Sequence, residues 1–206
     1  MSEEKPLVLG SGSPRRREML AMVGIPFVVR TADVDETRRE GEGAREYLER
    51  VTAAKLEGVR AGSGREDRGT AMATATGGER VLVADTIVVA PGGEILGKPV
   101  DDADALRMIR ALAGATHEVR TRFLLAEGAG APVHAETVTT RVRMRAVSPD
   151  EAAGYVATGE GKDKAGAYGV QGRAAAFIDR IEGSYTCVVG LPLSEVVAAM
   201  HSLGWW

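Results

Sequence analysis

Hydrophobic positions recur along this chain with two periods, one typical of strands and one typical of helices. Continuous apolar runs predict strands at residues 6–9, 27–30 and 81–90, and the last is the strongest strand signal in the chain. Apolar residues at helical spacing predict helices at 44–60 and 104–112. Strands and helices alternate, with several strands in succession near the middle. The pattern therefore predicts an α/β protein with a mixed sheet.

Capping and turn residues place the other elements. Ser13 and Pro14 favour a helix start, and Gly24 ends that helix. Ser148 and Glu151 form a capping-box pattern, which predicts another helix start. The remaining predicted elements are strands at 94–96, 118–126, 134–140 and 141–146, the last two compatible with one continuous strand, and a final helix at 194–203.

Residues 61–80 interrupt this pattern. Gly, Ala, Thr and charged residues fill the segment without an apolar period, so it is predicted to be a flexible insertion at the surface. The sequence contains no recognisable internal repeat or domain linker. The whole chain, residues 1–206, is therefore predicted to form one domain.

Composition narrows the class of protein. The chain has 26 Lys and Arg against 29 Asp and Glu, for a net charge of −3, which argues against a general nucleic-acid binder. No apolar run approaches the ~18 residues of a membrane span, and the N-terminus is too polar for a secretory signal. The single cysteine, Cys187, excludes an internal disulfide and a multi-cysteine metal site. These features predict a cytoplasmic protein that does not bind membranes.

Three consecutive arginines at 15–17 contradict the usual charge preference of a helix start. The N-terminus of a helix carries partial positive charge and favours acidic side chains in its first turn. Free backbone N–H groups and guanidinium groups together would form a cradle for a polyphosphate. The alternative interpretation is a patch of solvated arginines at the surface.

A carboxylate inside an apolar strand is the second exception. Asp85 lies within the run 81–89, where burial of its charge is costly unless it binds a cation or takes part in chemistry. Together with the arginines, it indicates a metal-assisted phosphate site. The alternative is a buried aspartate whose hydrogen bonds are satisfied by the protein.

The glycine-rich segment 164–172 would let the backbone approach a ligand closely, or would be a turn-rich connector. Lys98 would fold back beside Asp85, or would be an ordinary surface lysine.

These motifs together resemble the Maf family of nucleoside triphosphate pyrophosphatases. The resemblance covers almost the whole chain, in the family's order. It is carried by Ser11-Gly12-Ser13-Pro14-Arg15-Arg16, Ala84-Asp85-Thr86, Leu96-Gly97-Lys98-Pro99, the segment 163–172, and Gly183-Ser184-Tyr185 with the segment 189–193. The segment 61–80 looks longer than the family requires.

The resemblance implies a two-lobed fold around a central cleft, related to the inosine-triphosphate pyrophosphatase (Maf/Ham1-like) fold and often homodimeric. It also implies cleavage of a nucleoside triphosphate to the monophosphate and pyrophosphate with Mg²⁺ or Mn²⁺. Asp85 would be the general base and a metal ligand, and Glu36 would support the metal or orient water. The expected substrate-binding residues are Ser11, Arg15, Arg16, Lys55, Thr86, Lys98, Lys164 and Gln171.

Within that family, the chain resembles the subgroup that prefers dTTP and UTP. Arg15, Thr86 and Gln171 match this subgroup at three discriminating positions. A side-chain amide offers one acceptor and two donors, which suits the carbonyl and imide N–H of thymine or uracil. The alternative interpretation is that Gln171 only stabilises its own loop. Two other functions stay open: an enzyme for purine or modified nucleotides such as 7-methyl-GTP, and a non-catalytic regulator of cell division that binds nucleotide or nucleic acid.

Overall fold

The computed structural model of the protein describes residues 7–62, 66–67 and 78–206. Its helices are α1 (Pro14–Met22), α2 (Ala44–Arg60), α3 (Asp102–Leu112), α4 (Pro149–Val156), α5 (Tyr185–Val189) and α6 (Leu193–Ser202), with 3₁₀ helices at Ala165–Ala167 and Arg173–Phe177. Its strands are β1 (Leu7–Leu9), β2 (Phe27–Arg30), β3 (Glu66–Asp67), β4 (Arg80–Val89), β5 (Ile95–Leu96), β6 (Thr116–Glu127), β7 (His134–Met144) and β8 (Ile178–Glu182).

The described strands form a mixed sheet, as the sequence predicted. Their order is β3-β2-β1-β4-β6-β7-β8, and β5 pairs with β4. β1 runs parallel to both of its neighbours, with Leu9 opposite Val29 of β2 and Leu82 of β4. The pairs β2–β3, β4–β5 and β7–β8 are antiparallel. Within the described ranges, no helix combines the length and apolar composition needed to cross a membrane.

The chain divides into two compact units. The first unit consists of Met1–Asp85, Arg122–Thr137 and Leu193–Trp206, and the second of Thr86–Thr121 and Val138–Pro192. In the first unit, α2 packs Leu56 and Val59 onto Val81 and Val83 of β4. These side chains are buried because α2 places its apolar residues on one face, and Lys55 lies on the same side of the helix, four residues before Val59.

Gly10 lies where β1 leaves the core of the first unit. Its N–H donates to the carbonyl of Leu82 at 2.8 Å, which continues the pairing of β1 with β4. A Cβ atom at residue 10 would lie 2.6 Å from Cγ1 of Val83 and 2.7 Å from Cγ2 of Val59, both fully buried. A side chain there would therefore displace the core.

The second unit has its own apolar core, into which α3 and α4 contribute residues such as Met108, Ile109 and Tyr155. His117 lies buried in this core, and its Nε2 is 2.7 Å from the hydroxyl of Tyr168. Burial lowers the pKa of His117 to about 4, so the ring is neutral near pH 7. Cys187 is also buried, with its thiol donating to the carbonyl of Val138 at 3.3 Å. His117 and Cys187 therefore both have structural roles in the interior of the protein.

Most predicted elements are confirmed, and the differences have local causes. The strands expected at 134–140 and 141–146 form one strand, β7. α3 begins two residues early because Asp101 caps it, accepting from the N–H of Asp104 at 2.8 Å. Ser13 occupies the expected N-cap position of α1, although its side chain makes no capping hydrogen bond.

Five elements escaped the sequence analysis: β8, the two 3₁₀ helices, α5 and β3. α5 has only five residues and begins where the Ser184 side chain accepts from the N–H of Cys187, so it is too short to show a period. β3 lies inside the expected insertion at 61–80 and pairs with β2 through two residues. The rest of that prediction, at 63–65 and 68–77, falls outside the described residues.

Substitution of Gly10 by Ala should lower the free energy of unfolding by about 1–3 kcal/mol, because the added methyl group overpacks the contact with Val83 and Val59. The matched control is Gly12→Ala, where the nearest atom to the new Cβ, Cγ2 of Thr31, lies at 3.4 Å. Urea denaturation measures both. Equal stability of the two variants would contradict the close approach at Gly10.

Candidate active site

The loop before α1 holds a buried arginine. Arg16 donates from Nη1 to Oγ of Ser11 at 2.9 Å, and both residues are buried. Burial lowers the pKa of the Arg16 guanidinium, while the charge of Asp85 opposes this shift. Arg16 is therefore not part of a solvated patch, whereas Arg15 and Arg17 are half-buried.

Lys55 joins two of the predicted acidic residues. Its ammonium group lies 2.5 Å from Oδ1 of Asp85 and 2.7 Å from Oε1 of Glu36. Asp85 comes from β4, Lys55 from α2, and Glu36 from the loop that follows β2. The side chains of Lys55 and Asp85 are only 12% and 10% exposed. A close ion pair in this setting offsets the cost of burying Asp85.

Arg16 lies in the electrostatic field of this pair. The charges of Asp85 and Glu36 act to raise the pKa of its guanidinium, while Arg15 acts to lower it. We refer to Ser11, Arg16, Glu36, Lys55 and Asp85 as the charged cluster of the first unit. The structure brings together these five residues, which the sequence analysis had assigned to the site from separate segments.

Three residues that the sequence analysis missed hold the loop that carries Glu36. The hydroxyl of Tyr47 donates to the backbone carbonyl of Glu36 at 3.0 Å. Arg50 donates from Nε to Oε1 of Glu42 at 2.6 Å and from Nη2 to Oε2 at 2.8 Å. Its Nη groups also reach the backbone carbonyls of Asp35 and Thr37. Helix α2 therefore fixes this loop from two positions, Tyr47 and Arg50.

The ion pair between Arg50 and Glu42 is stable over a wide pH range. The hydrogen bonds from Arg50 lower the pKa of Glu42 to about 2, from an ordinary value of about 4.5. The stabilisation that Glu42 supplies is therefore present above pH 4.5 and is lost only as the pH falls toward 2. The sequence offered one signal that Tyr47 and Arg50 hold the Glu36 loop: they lie on the same helix as Lys55, one to two turns earlier.

The charged cluster has donor atoms suited to a divalent cation that a substrate helps to bind. Among the described residues, no group of three or more His, Cys, Asp and Glu side chains could hold a metal ion by itself. Asp85 and Glu36 nevertheless converge on one cationic group, the Lys55 ammonium. Magnesium is commonly held by one or two carboxylates and completed by substrate phosphates and water. The two carboxylates fit that arrangement.

Of the other predicted site residues, Arg15 belongs to the first unit, whereas Thr86, Lys98, Lys164 and Gln171 belong to the second. Gly166 donates to the carbonyl of Gly97 at 3.0 Å, which places the segment with Lys98 against the loop with Lys164. Lys164 donates to the backbone carbonyl of Glu160 and to Asp163, each at 2.5 Å. Gln171 lies exposed on the same loop.

Thr86 has partners within the second unit. Its Oγ1 lies 2.9 Å from Oγ1 of Thr121, which donates in turn to the carbonyl of Cys187 at 2.9 Å. The Thr86 hydroxyl also lies 3.4 Å from the carbonyl of Gly190. These contacts connect β4 and β6 to the middle of α5 and to Gly190, which follows its last residue.

The fold and the charged cluster define an α/β protein whose buried cations and paired carboxylates are arranged for a phosphorylated ligand. The model of the family described as Maf-like protein matches residues 6–203, and the chain belongs to this family. A dTTP/UTP pyrophosphatase of Hahella chejuensis is 46% identical over 201 residues, covering 96% of this chain and 92% of that protein. A dTTP/UTP pyrophosphatase of Geobacter sulfurreducens is 42% identical over 202 residues, covering 98% of each chain.

Removal of the Arg50 side chain should loosen the loop that carries Glu36. In Arg50→Ala, amide hydrogen exchange across residues 35–42 should accelerate at least about tenfold, because charged hydrogen bonds to the loop are lost. Arg45→Ala is the matched control on the same helix, since Arg45 is 81% exposed and pairs only at 3.7 Å with Glu49. Unchanged exchange in Arg50→Ala would show that other contacts hold the loop.

Proposed function

We propose that this protein hydrolyses dTTP and UTP to the nucleoside monophosphate and pyrophosphate. The observation that carries the proposal is the Lys55 ammonium between Asp85 and Glu36, in a chain of the Maf-like family. The family relatives named above carry the name dTTP/UTP pyrophosphatase, which supports this choice of substrate.

In this reaction, water adds to phosphorus and the bond between the α- and β-phosphates breaks. Asp85 is the proposed general base, accepting the proton that the attacking water releases. Lys55 offsets the cost of burying this carboxylate by its close contact with Oδ1. Arg15, Arg16 and Ser11 are proposed to bind the triphosphate at the start of α1, where backbone N–H groups also favour an anion. Pyrophosphate leaves with the negative charge that these cations stabilise.

Asp85 and Glu36 are the proposed ligands of Mg²⁺ or Mn²⁺. Such an ion would neutralise charge on the phosphate oxygens and make the attacking water more acidic. Lys55 lies between the same two carboxylates, so we propose that its ammonium moves toward a substrate phosphate when they bind the ion. Lys98 and Lys164 are also proposed to bind phosphate.

Base selection is assigned to the exposed side chain of Gln171, with Arg15 and Thr86 in supporting roles. The amide can accept from the imide N–H and donate to a carbonyl of uracil or thymine. A site with this pattern rejects bases that leave its polar groups unpaired.

The proposal also includes a cytoplasmic location, where these nucleotides are used, and a homodimer. Gel filtration with light scattering would test the homodimer.

The proposed substrates can be tested with a nucleotide panel. With Mg²⁺ present, dTTP and UTP should give the highest kcat/KM, and CTP a lower value because its amine replaces a carbonyl acceptor. Chromatography should identify the monophosphate and pyrophosphate as products, and EDTA should abolish turnover. In Gln171→Glu, kcat/KM for UTP should fall while the circular dichroism spectrum stays unchanged.

Other outcomes of the panel identify the rival functions. Preferential hydrolysis of 7-methyl-GTP or purine nucleotides would assign the protein to a different substrate class. Nucleotide binding without any turnover would favour a non-catalytic regulator. Equal turnover of UTP, GTP and 7-methyl-GTP would refute the proposed base selection.

Asp85→Asn tests the chemistry separately from substrate binding. The substitution keeps the shape of the side chain but removes its charge and its basicity, so kcat for UTP should fall at least about 10²-fold. The control is Asp179→Asn, an exposed residue of β8, which should retain wild-type kcat. Near-normal turnover by folded Asp85→Asn protein would exclude Asp85 as the base.

A further inference from the structure

Glu160 lies at the centre of the loop that carries Lys164 and Gln171. One carboxylate oxygen, Oε1, accepts from the Tyr155 hydroxyl at 3.1 Å, and the other, Oε2, accepts from the backbone N–H of Arg173 at 3.0 Å. The backbone carbonyl of Glu160 accepts from the Lys164 ammonium. A single residue thereby contacts helix α4 before the loop, Lys164 within it and Arg173 at its end.

Two glycines leave room for these contacts. A Cβ atom at residue 172 would lie 2.5 Å from Cδ of Glu160, so a side chain there would displace the carboxylate from its place against the backbone. A Cβ atom at residue 169 would lie 2.8 Å from Cε of Lys164. The glycines at 169 and 172 therefore leave space within the loop, which the ends of the Lys164 and Glu160 side chains fill.

Tyr155 extends the contact into the core of the second unit. Its ring is buried and packs edge-to-face against Phe177, with centroids 5.5 Å apart. Its hydroxyl accepts from the N–H of Gly169 at 3.2 Å while donating to Glu160. The loop is thus connected to a rigid part of helix α4 through one carboxylate and one phenol.

We propose that Glu160 is a positioning residue for nucleotide hydrolysis, which fixes the loop so that the Gln171 amide and the Lys164 ammonium are presented to the substrate together. Glu160 itself does not touch the substrate. The inference rests on the proposed function, in which Lys164 binds phosphate and Gln171 selects the base.

Glu160→Gln is the discriminating variant, because glutamine keeps the size of the side chain but replaces one of two acceptor oxygens by a donor. Either the Tyr155 hydroxyl or the Arg173 N–H then loses its acceptor. We expect kcat/KM for UTP to fall at least about tenfold, mainly through KM, and the preference for UTP over GTP to decrease. Glu182→Gln, the same change at an exposed residue of β8, should leave both values unchanged.

A double-mutant cycle separates positioning from general destabilisation. In a Gln171→Ala background the base-selecting side chain is already absent, so Glu160→Gln should cause little further loss of UTP preference. Tyr155→Phe removes only the hydroxyl and should reduce the preference in the same direction, which keeps the test informative if Glu160→Gln folds poorly. Equal losses of turnover on all nucleotides, or additive effects in the cycle, would overturn the inference.

Hydrogen exchange distinguishes failure of the positioning role of Glu160 from failure of the proposed function. The amides of Gly169 and Arg173 should exchange faster in Glu160→Gln than in the wild type, whether or not any nucleotide is hydrolysed. A wild-type protein that turns over no nucleotide would refute the function and, with it, the positioning role. A wild-type enzyme active on UTP with unchanged selectivity and unchanged exchange in Glu160→Gln would refute the positioning role alone.

Discussion

The contact of one ammonium group with two carboxylates organises the first unit of this protein. Asp85 projects from a strand made of apolar residues, and its charge is tolerated there because Lys55 lies 2.5 Å away. The same ammonium draws in Glu36 from a loop that has no secondary structure of its own. Strand, helix and loop thus meet at one cation, and the proposed metal and phosphate chemistry uses the groups that this contact assembles.

Each unit fixes a functional loop by a buried tyrosine on a neighbouring helix. In the first unit, Tyr47 of α2 donates to the backbone beside the charged cluster. In the second, Tyr155 of α4 bridges a carboxylate and a backbone N–H of the glycine-rich loop. Phenols suit this role because the ring is packed in the core while the hydroxyl reaches polar groups at its edge. The loops therefore have defined conformations without regular secondary structure.

The sequence was most informative where one residue contradicted its surroundings. Asp85 in an apolar strand and three arginines at a helix start both pointed to the charged cluster, and α2 showed its full length through its period. The partnership of Lys55 with Glu36 was not visible, since it depends on how an aperiodic loop folds back onto a helix. Glu160 was missed for a related reason: an acidic residue beside glycines looks like a solvated turn until the backbone wraps around its carboxylate.

The close packing around residues 169 and 172 has a consequence for evolution. Both glycines lie against side chains of their own loop, whereas Gln171 between them is exposed. A substitution at 171 would therefore change the group proposed to contact the base while leaving that packing in place. Under the proposed function, nucleotide choice could diverge at this one position without rebuilding the loop around it.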